Sequence, residues 1–203
     1  LTAPVARCIV GSVVTTVASG PGGARVCWRT VAGEEAVEEF DEVVMATQAN
    51  ACAKILKTSD VEQLAALRGI PYEMKRVVLH TDASLMPHQP RDWSPLNIVV
   101  DRAADAASVT VWMNRIDNGL RDELRSPLYQ TWNPIIEPHP SAVKADYRFE
   151  RPVVTYASVK AMESLQSKQG LGHVWFVGAY SRFSMPLLEN GVKSSMEVAR
   201  RLG

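Results

Sequence analysis

The sequence is poor in cysteine, modest in aromatics and without an excess of charge of either sign. Its three cysteines, Cys8, Cys27 and Cys52, are odd in number and lack C-x-x-C spacing. That excludes a disulfide scaffold and predicts reduced, mostly buried thiols. The four histidines, His80, His88, His139 and His173, never stand at i and i+4 and join no Cys/His cluster, so no metal site is expected. Lys plus Arg number 22 against 22 Asp plus Glu. Without a net field, nucleic acid and anionic lipid surfaces are poor partners. No apolar run approaches the roughly 18 residues of a membrane span, and a soluble, intracellular protein is expected. The start, Leu1-Thr2-Ala3-Pro4, has neither an initiator Met nor a basic-then-apolar leader, which reads as processing, trimming or a piece of a longer chain.

What is present suffices for a core: 203 residues, 46% of them hydrophobic, make one large domain or two small ones. Residues 8–47 read as β structure. The Val- and Thr-rich stretch Ile9–Val17, a Ser19-Gly20-Pro21-Gly22-Gly23 turn and the alternating Arg25–Val31 form a hairpin, and another strand follows. Asp41–Thr47 carries a continuous apolar stretch, as in a parallel strand buried on both faces. The acidic cluster Glu34–Glu42 reads as a solvated turn and edge. A short helix suits Gln48–Leu56, and Ser59-Asp60-Val61-Glu62 makes a capping box, Ser59 with Glu62, for a helix that stops at Gly69. Strands Arg76–Thr81, Leu96–Val100 and Ser108–Met113 predict a second, antiparallel sheet. Pro127–Pro152 has no clear period and is expected to wrap a surface or cross between lobes.

A helix over Ser158–Gln166 leads to the doubly buried strand His173–Ala179. Asn190 then caps a helix in which Val192, Ser195, Met196, Ala199 and Leu202 share a face. A strand ending at Gly178 and a helix opening at Gly191 bring backbone N–H groups and the positive end of a helix dipole to one crevice. Such a start suits phosphate or an electron-rich ring edge. Gly191 permits close approach of a ligand, and Ser194 and Ser195 are small enough for tight helix packing.

The strings VWFVGAY at 174–180 and ENGVKSSMEVARRLG at 189–203 resemble the C-terminal signature of the flavin-containing amine oxidase superfamily. FDEVVMATQANACAKIL, YEMKRVVLHTDASLMP, SVTVWMNRID, the YQTWNP segment and FERPV, in that order, are similar to one branch. It comprises NAD/FAD-binding oxidoreductases sometimes fused to, or encoded beside, cyclopropane-fatty-acid synthases. The resemblance implies a mixed α/β fold: a partial FAD-binding, Rossmann-like domain with a β-rich substrate lobe. It implies later strands of the FAD domain over 1–56, the substrate-type lobe over 57–152, and a returning helix, strand and C-terminal helix over 153–203.

Carried over residue by residue, the resemblance implies that Val14 holds the adenine of FAD through its backbone. Ala46 and Thr47 end the strand of the second approach to the dinucleotide. Gly178, Ala179, Glu189, Asn190, Gly191 and Val192 lie by the pyrophosphate, ribityl chain and flavin ring, with the Val192 N–H for the flavin carbonyl. Ala179 stands where many relatives have Asp or Glu. Lys75, or Arg76 by an equal alignment, matches the lysine many relatives keep near the flavin. Trp112, Asn114, Trp132 and Phe183 are expected to line a substrate channel, and His80 with Asp82 to stabilise a turn. The implied activity is hydride transfer from an organic substrate, an acyl lipid or an amine, to FAD.

One element of the family is absent. No strand, G-x-G-x-x-G turn and helix precede these elements, and Gly20-Pro21-Gly22-Gly23, between two β segments, is a hairpin turn rather than a phosphate loop. The N-terminal βαβ unit is therefore expected as a separate or preceding segment acting as partner, with the chain alone inactive. The alternative is a cofactor-free binding or interaction module that keeps the fold.

Overall fold

The structure, a computed structural model, describes residues 6–117, 119, 123, 124, 126–182 and 187–203. Two compact units are present, Leu1–Tyr72 with Pro152–Gly203, and Glu73–Arg151. Residues 57–72, grouped with the middle lobe from sequence, thus fall in the first unit.

In that unit β1 (Val13–Gly20) and β2 (Gly23–Arg29) form the expected antiparallel hairpin, and β3 (Glu35–Phe40) adds to β2. Gly23 sits at φ +144°, and a Cβ there would meet the Phe40 carbonyl oxygen at 2.6 Å, so the turn requires glycine. β4 (Val43–Met45) and α1 (Ala49–Ile55) follow, and β5 (Leu56–Lys57) pairs in parallel with β1. The cap of α2 (Val61–Arg68) is Asp60, not Ser59: the Asp60 carboxylate accepts the Gln63 N–H at 2.6 Å. The Thr58 hydroxyl accepts the Asp60 N–H, which turns the chain one residue later than the Ser59–Glu62 pattern implies.

The second unit is a five-stranded sheet of β6 (Tyr72–His80), β7 (Leu96–Asp101), β8 (Ala106–Trp112), β9 (Tyr129–Trp132) and β10 (Val143–Pro152), in the order β10-β6-β9-β8-β7. A short α3 (Met113–Ile116) follows β8. The aperiodic Pro127–Pro152 segment therefore supplies two strands. β9 is only four residues long, and β10 is an edge strand in which Val143, Ala145, Tyr147 and Phe149 alternate with Lys144, Asp146, Arg148 and Glu150, a period of two that the reading of the segment as aperiodic missed.

This sheet has its polar side inward. Val78, Thr131, Thr110 and Asn97 form one row across four strands, and all are buried. The row on the other side is Val77, Trp132, Val109 and Ile98, with Ile98 62% exposed. A hydrogen-bonded ladder makes the polar side tolerable. His80 Nδ1 accepts the Asp82 N–H at 3.2 Å, so Nε2 carries the proton and donates to Thr131 Oγ1 at 2.7 Å; the Thr131 and Thr110 hydroxyls lie 2.9 Å apart. Trp93 packs edge-on against Trp112 and Tyr129 on this side.

Returning to the first unit, α4 (Tyr156–Ser167) opens on a capping box between Thr155 and Ser158. β11 (Val174–Phe176) pairs in parallel with β4, Phe176 opposite Met45. The parallel strand expected over Asp41–Thr47 is present but not buried on both faces. Val43 and Met45 face the core while Val44 is 43% exposed, because its side of the strand opens on a groove. The core behind the pair gathers Met45, Ala49, Cys52, Leu67, Leu165 and Phe176. α5 (Leu188–Leu202) starts two residues ahead of its expected cap. Asn190, Ser194 and Val198 form its buried face, and the Val192–Met196 side is exposed.

Candidate functional site

Parallel strands aim their C-terminal ends at one edge, where open α/β sheets bind ligands. β4 leads into Ala46 and Thr47, and β11 into Val177, Gly178 and Ala179; the Val177 N–H bonds the Met45 carbonyl at 3.1 Å and keeps the two ends level. The first turn of α5 packs here too. A Cβ on Gly191 would lie 3.6 Å from the Ala179 nitrogen. Ala46, Thr47, Gly178, Ala179 and Gly191, singled out from sequence, thus belong to one edge of the fold.

Ser194 fixes that edge. Its Oγ accepts the Gly178 N–H at 3.0 Å and donates to the Gly191 carbonyl at 2.8 Å. The Gly178 amide is consequently not available to a phosphate. Below it, Thr47 Oγ1 contacts Cys52 Sγ at 3.2 Å, and Cys52 Sγ lies 3.9 Å from the Tyr180 hydroxyl. Burial pushes both the Cys52 thiol and the Tyr180 phenol above their ordinary pKa values, so both are protonated hydrogen-bonding groups at neutral pH. Gly178 has φ +151°, and a Cβ there would strike the Tyr180 ring at 2.8 Å. The Tyr72 hydroxyl accepts the Ala49 N–H at 2.9 Å and takes the place of a side-chain cap on α1.

A groove of about 420 Å³ opens beside β4 and is lined by Val14, Val17, Trp28, Val43, Ala46 and Thr47 among others. Val14 is thereby brought to the same cavity as Ala46 and Thr47. At the opening of α5, Glu189 is paired with Lys193 at 2.6 Å, Asn190 is buried, and Val192 is 52% exposed.

The second unit separates the remaining candidates. Lys75 lies on the apolar side of its sheet with Val77 and Leu79, and its ammonium pairs with Glu73 at 2.6 Å. Arg76 points to the other side, where it forks onto Asp146 and reaches Glu137 at 2.6 Å; these bonds, that to Asp146 first, raise its pKa. Trp132 is on the apolar side, edge-on to Phe149 and under the Arg151 guanidinium. Trp112 is on the polar side with its indole N–H buried and unpartnered. Asn114 is engaged in its own loop, accepting the Leu128 N–H at 2.6 Å. Phe183 lies outside the described residues. Asp82 accepts the N–H groups of Ser84 and His139, the turn-stabilising part expected of it.

Sequence reasoning missed Tyr180, the role of Ser194, and Glu42, which sat in a cluster read as solvated. A polar residue four positions from a helical Asn, as Ser194 is from Asn190, was the available signal for the buried face of α5.

No known protein-family model matches the chain, and no curated protein matches it. Among solved structures it is similar to a CLA-producing fatty acid isomerase from P. acnes, with TM-score 0.55 and 11% identity over 93% of this chain and 47% of that one. It is also similar to cyclohexylamine oxidase from Brevibacterium oxydans IH-35A, with TM-score 0.57 and 12% identity over 93% of this chain and 48% of that one. The mixed α/β fold expected from sequence is the fold these structures share with it. The chain spans about half the length of each. No helix among the described residues is long and apolar enough to cross a membrane.

Proposed function

We propose that the chain is part of an FAD-dependent oxidoreductase of amine-oxidase type, acting on an apolar organic substrate, an acyl lipid or an amine. The observation that carries this reading is the meeting of Ala46, Thr47, Gly178, Ala179 and Gly191 at the C-terminal edge of a parallel strand pair. The likeness in fold to a fatty acid isomerase and an amine oxidase supports it.

The residues present fit one part of the cofactor. The groove beside β4 has largely apolar walls, as an adenine ring needs, and Val14, Ala46 and Thr47 would hold it there. Glu189, Asn190, Gly191 and Val192, at the positive end of α5, would serve the flavin end. A pyrophosphate needs several convergent N–H donors, and the Gly178 N–H already bonds Ser194. Those donors would come from a segment carrying a G-x-G-x-x-G turn, for which the outer edge of β4 and exposed Val44 offer the surface. FAD, when bound, supplies the hydride acceptor. The chain's part is to orient and to exclude water, and Trp112 and Trp132 of the second unit would serve the substrate, with Lys75, paired with Glu73, as the candidate cation.

The test is visible flavin absorbance in the full-length protein. We expect it to purify yellow, and Gly191→Val to lose the colour while its circular dichroism is retained. A folded, colourless full-length protein that cannot be reconstituted with FAD overturns the reading. The alternative, a cofactor-free binding module, is favoured by the engaged Gly178 amide and by Ala179. It predicts a stable fold that gives no heat on titration with FAD.

A further inference from the structure

At the other end of the same strand pair, His173 joins three pieces of chain. It stands at φ +63°, where its Cβ crowds the backbone, directly after Gly172 and three residues after Gly170, which are also left-handed. Its imidazole faces two acceptors. Nδ1 lies 3.0 Å from Glu42 Oε1, and Nε2 lies 3.3 Å from the carbonyl oxygen of Pro21 in the β1–β2 turn. Oε2 of Glu42 accepts the Trp175 indole N–H at 2.7 Å. That bond first, and then the one to His173, holds the Glu42 carboxyl below its ordinary range, so Glu42 has no proton to give.

A neutral imidazole carries one N–H and one lone pair. It can satisfy either Glu42 or Pro21, and it then turns its lone pair on the other oxygen. The imidazolium, with two N–H groups, satisfies both.

We propose that His173 is a proton-operated clamp: as the imidazolium it ties the β1–β2 turn and the approach to β4 to the entry of β11, and on losing a proton to solvent it releases one of the two. The ring is 34% exposed, so water exchanges the proton directly. The other charged groups on the packed elements are already committed or contribute only backbone. Asp41 adds a backbone bond, Arg25 pairs with Glu39 at 2.8 Å, and Lys168 at the end of α4 pairs with Asp60 and Glu62. The hydrogen bond to Glu42, and after it the Pro21 carbonyl, raise the pKa of His173 from 6.5. The clamp is therefore fully closed below pH 6.5 and opens as pH rises through the higher, folded-state value. β4 and β11 are each three residues long, so a loosened entry is one short ladder away from Thr47 and Gly178. The clamp needs no cofactor and stands or falls apart from the functional reading.

The test is an NMR titration of the ¹⁵N-labelled chain, with the His173 ring and the Trp175 indole assigned through His173→Gln. We expect both ring nitrogens to be protonated at pH 6.5, a midpoint above 6.5, and a Trp175 indole signal that moves with the same midpoint. Glu42→Gln should bring the midpoint down. A His173 midpoint at or below 6.5, or a Trp175 signal indifferent to it, overturns the clamp. If Glu42→Gln does not fold, the wild-type titration decides alone.

Discussion

The Ser194 hydroxyl accepts the amide N–H of Gly178 across the gap between β11 and α5, and donates its own hydrogen bond to the Gly191 carbonyl. Ser194→Ala leaves that amide without its acceptor, which costs about 1–3 kcal/mol. Urea denaturation should show this loss. Ser195→Ala is the control: its hydroxyl bonds the same carbonyl from an exposed position, and the change should stay within roughly 0.5 kcal/mol.

Thr131 is the middle of the ladder that lets the second unit keep polar residues inside. Thr131→Val strands the His80 N–H and should lower stability by about 1–3 kcal/mol, with Thr131→Ser recovering most of it. Burial, as the leading cause, lowers the His80 pKa from 6.5. A base held neutral in the fold stabilises above its unfolded value, so this contribution is present above pH 6.5 and declines as pH falls through the folded-state pKa. Urea midpoints measured across that range should fall on the acid side.

The three thiols should differ in reactivity. Cys8 is exposed, Cys27 intermediate and Cys52 fully buried, with its thiol pKa raised by burial. Mass spectrometry after iodoacetamide treatment of the native protein should find Cys8 modified first and Cys52 untouched until denaturant is added. Early alkylation of Cys52 would contradict the packing of Thr47 and Tyr180 around it.

β4 and β11 offer a matched pair of substitutions. Phe176 is fully buried, and Phe176→Ala should cost about 3–5 kcal/mol, a large share of the roughly 5–15 kcal/mol that holds a domain together. Val44→Ser, on the exposed side of the same ladder, should change stability by no more than about 0.5 kcal/mol. Guanidinium denaturation of the two variants checks the contrast.

The parts of this fold that were legible in the sequence are those fixed by local chemistry. The Pro21–Gly22 hairpin, the helix stop at Gly69 and the parallel character of the Val43–Met45 strand follow from turn residues and apolar runs. The errors lie where distant partners decide. Apolar periodicity put Val192 and Met196 together on a face of α5, but the residues that pack against Gly178 are small and polar. β10 was legible in principle, since Val143, Ala145, Tyr147 and Phe149 alternate with Lys144, Asp146, Arg148 and Glu150, but the prolines around it masked that period. At the candidate site, Gly178 and Gly191 could be singled out because a strand end and a helix start are local events, whereas Ala46 and Thr47 were reached through the family resemblance alone. Ser194 was legible as a small packing residue but not as the partner of the Gly178 amide, and Cys52 with Tyr180 was not legible at all, because that contact spans 128 positions along the chain.

The inward polar side of the second sheet has a bearing on how that unit folds. Sliding one strand by a single residue exchanges its two sides. In β7 and β8 such a slip would bury Ile98 and Val109 and expose Asn97 and Thr110, a change that solvation by itself favours. Correct pairing must therefore be selected by the directional bonds of His80, Thr131 and Thr110, which a shifted strand cannot make. Conditions that weaken hydrogen bonds more than hydrophobic contacts should accordingly increase the share of chains that mispair.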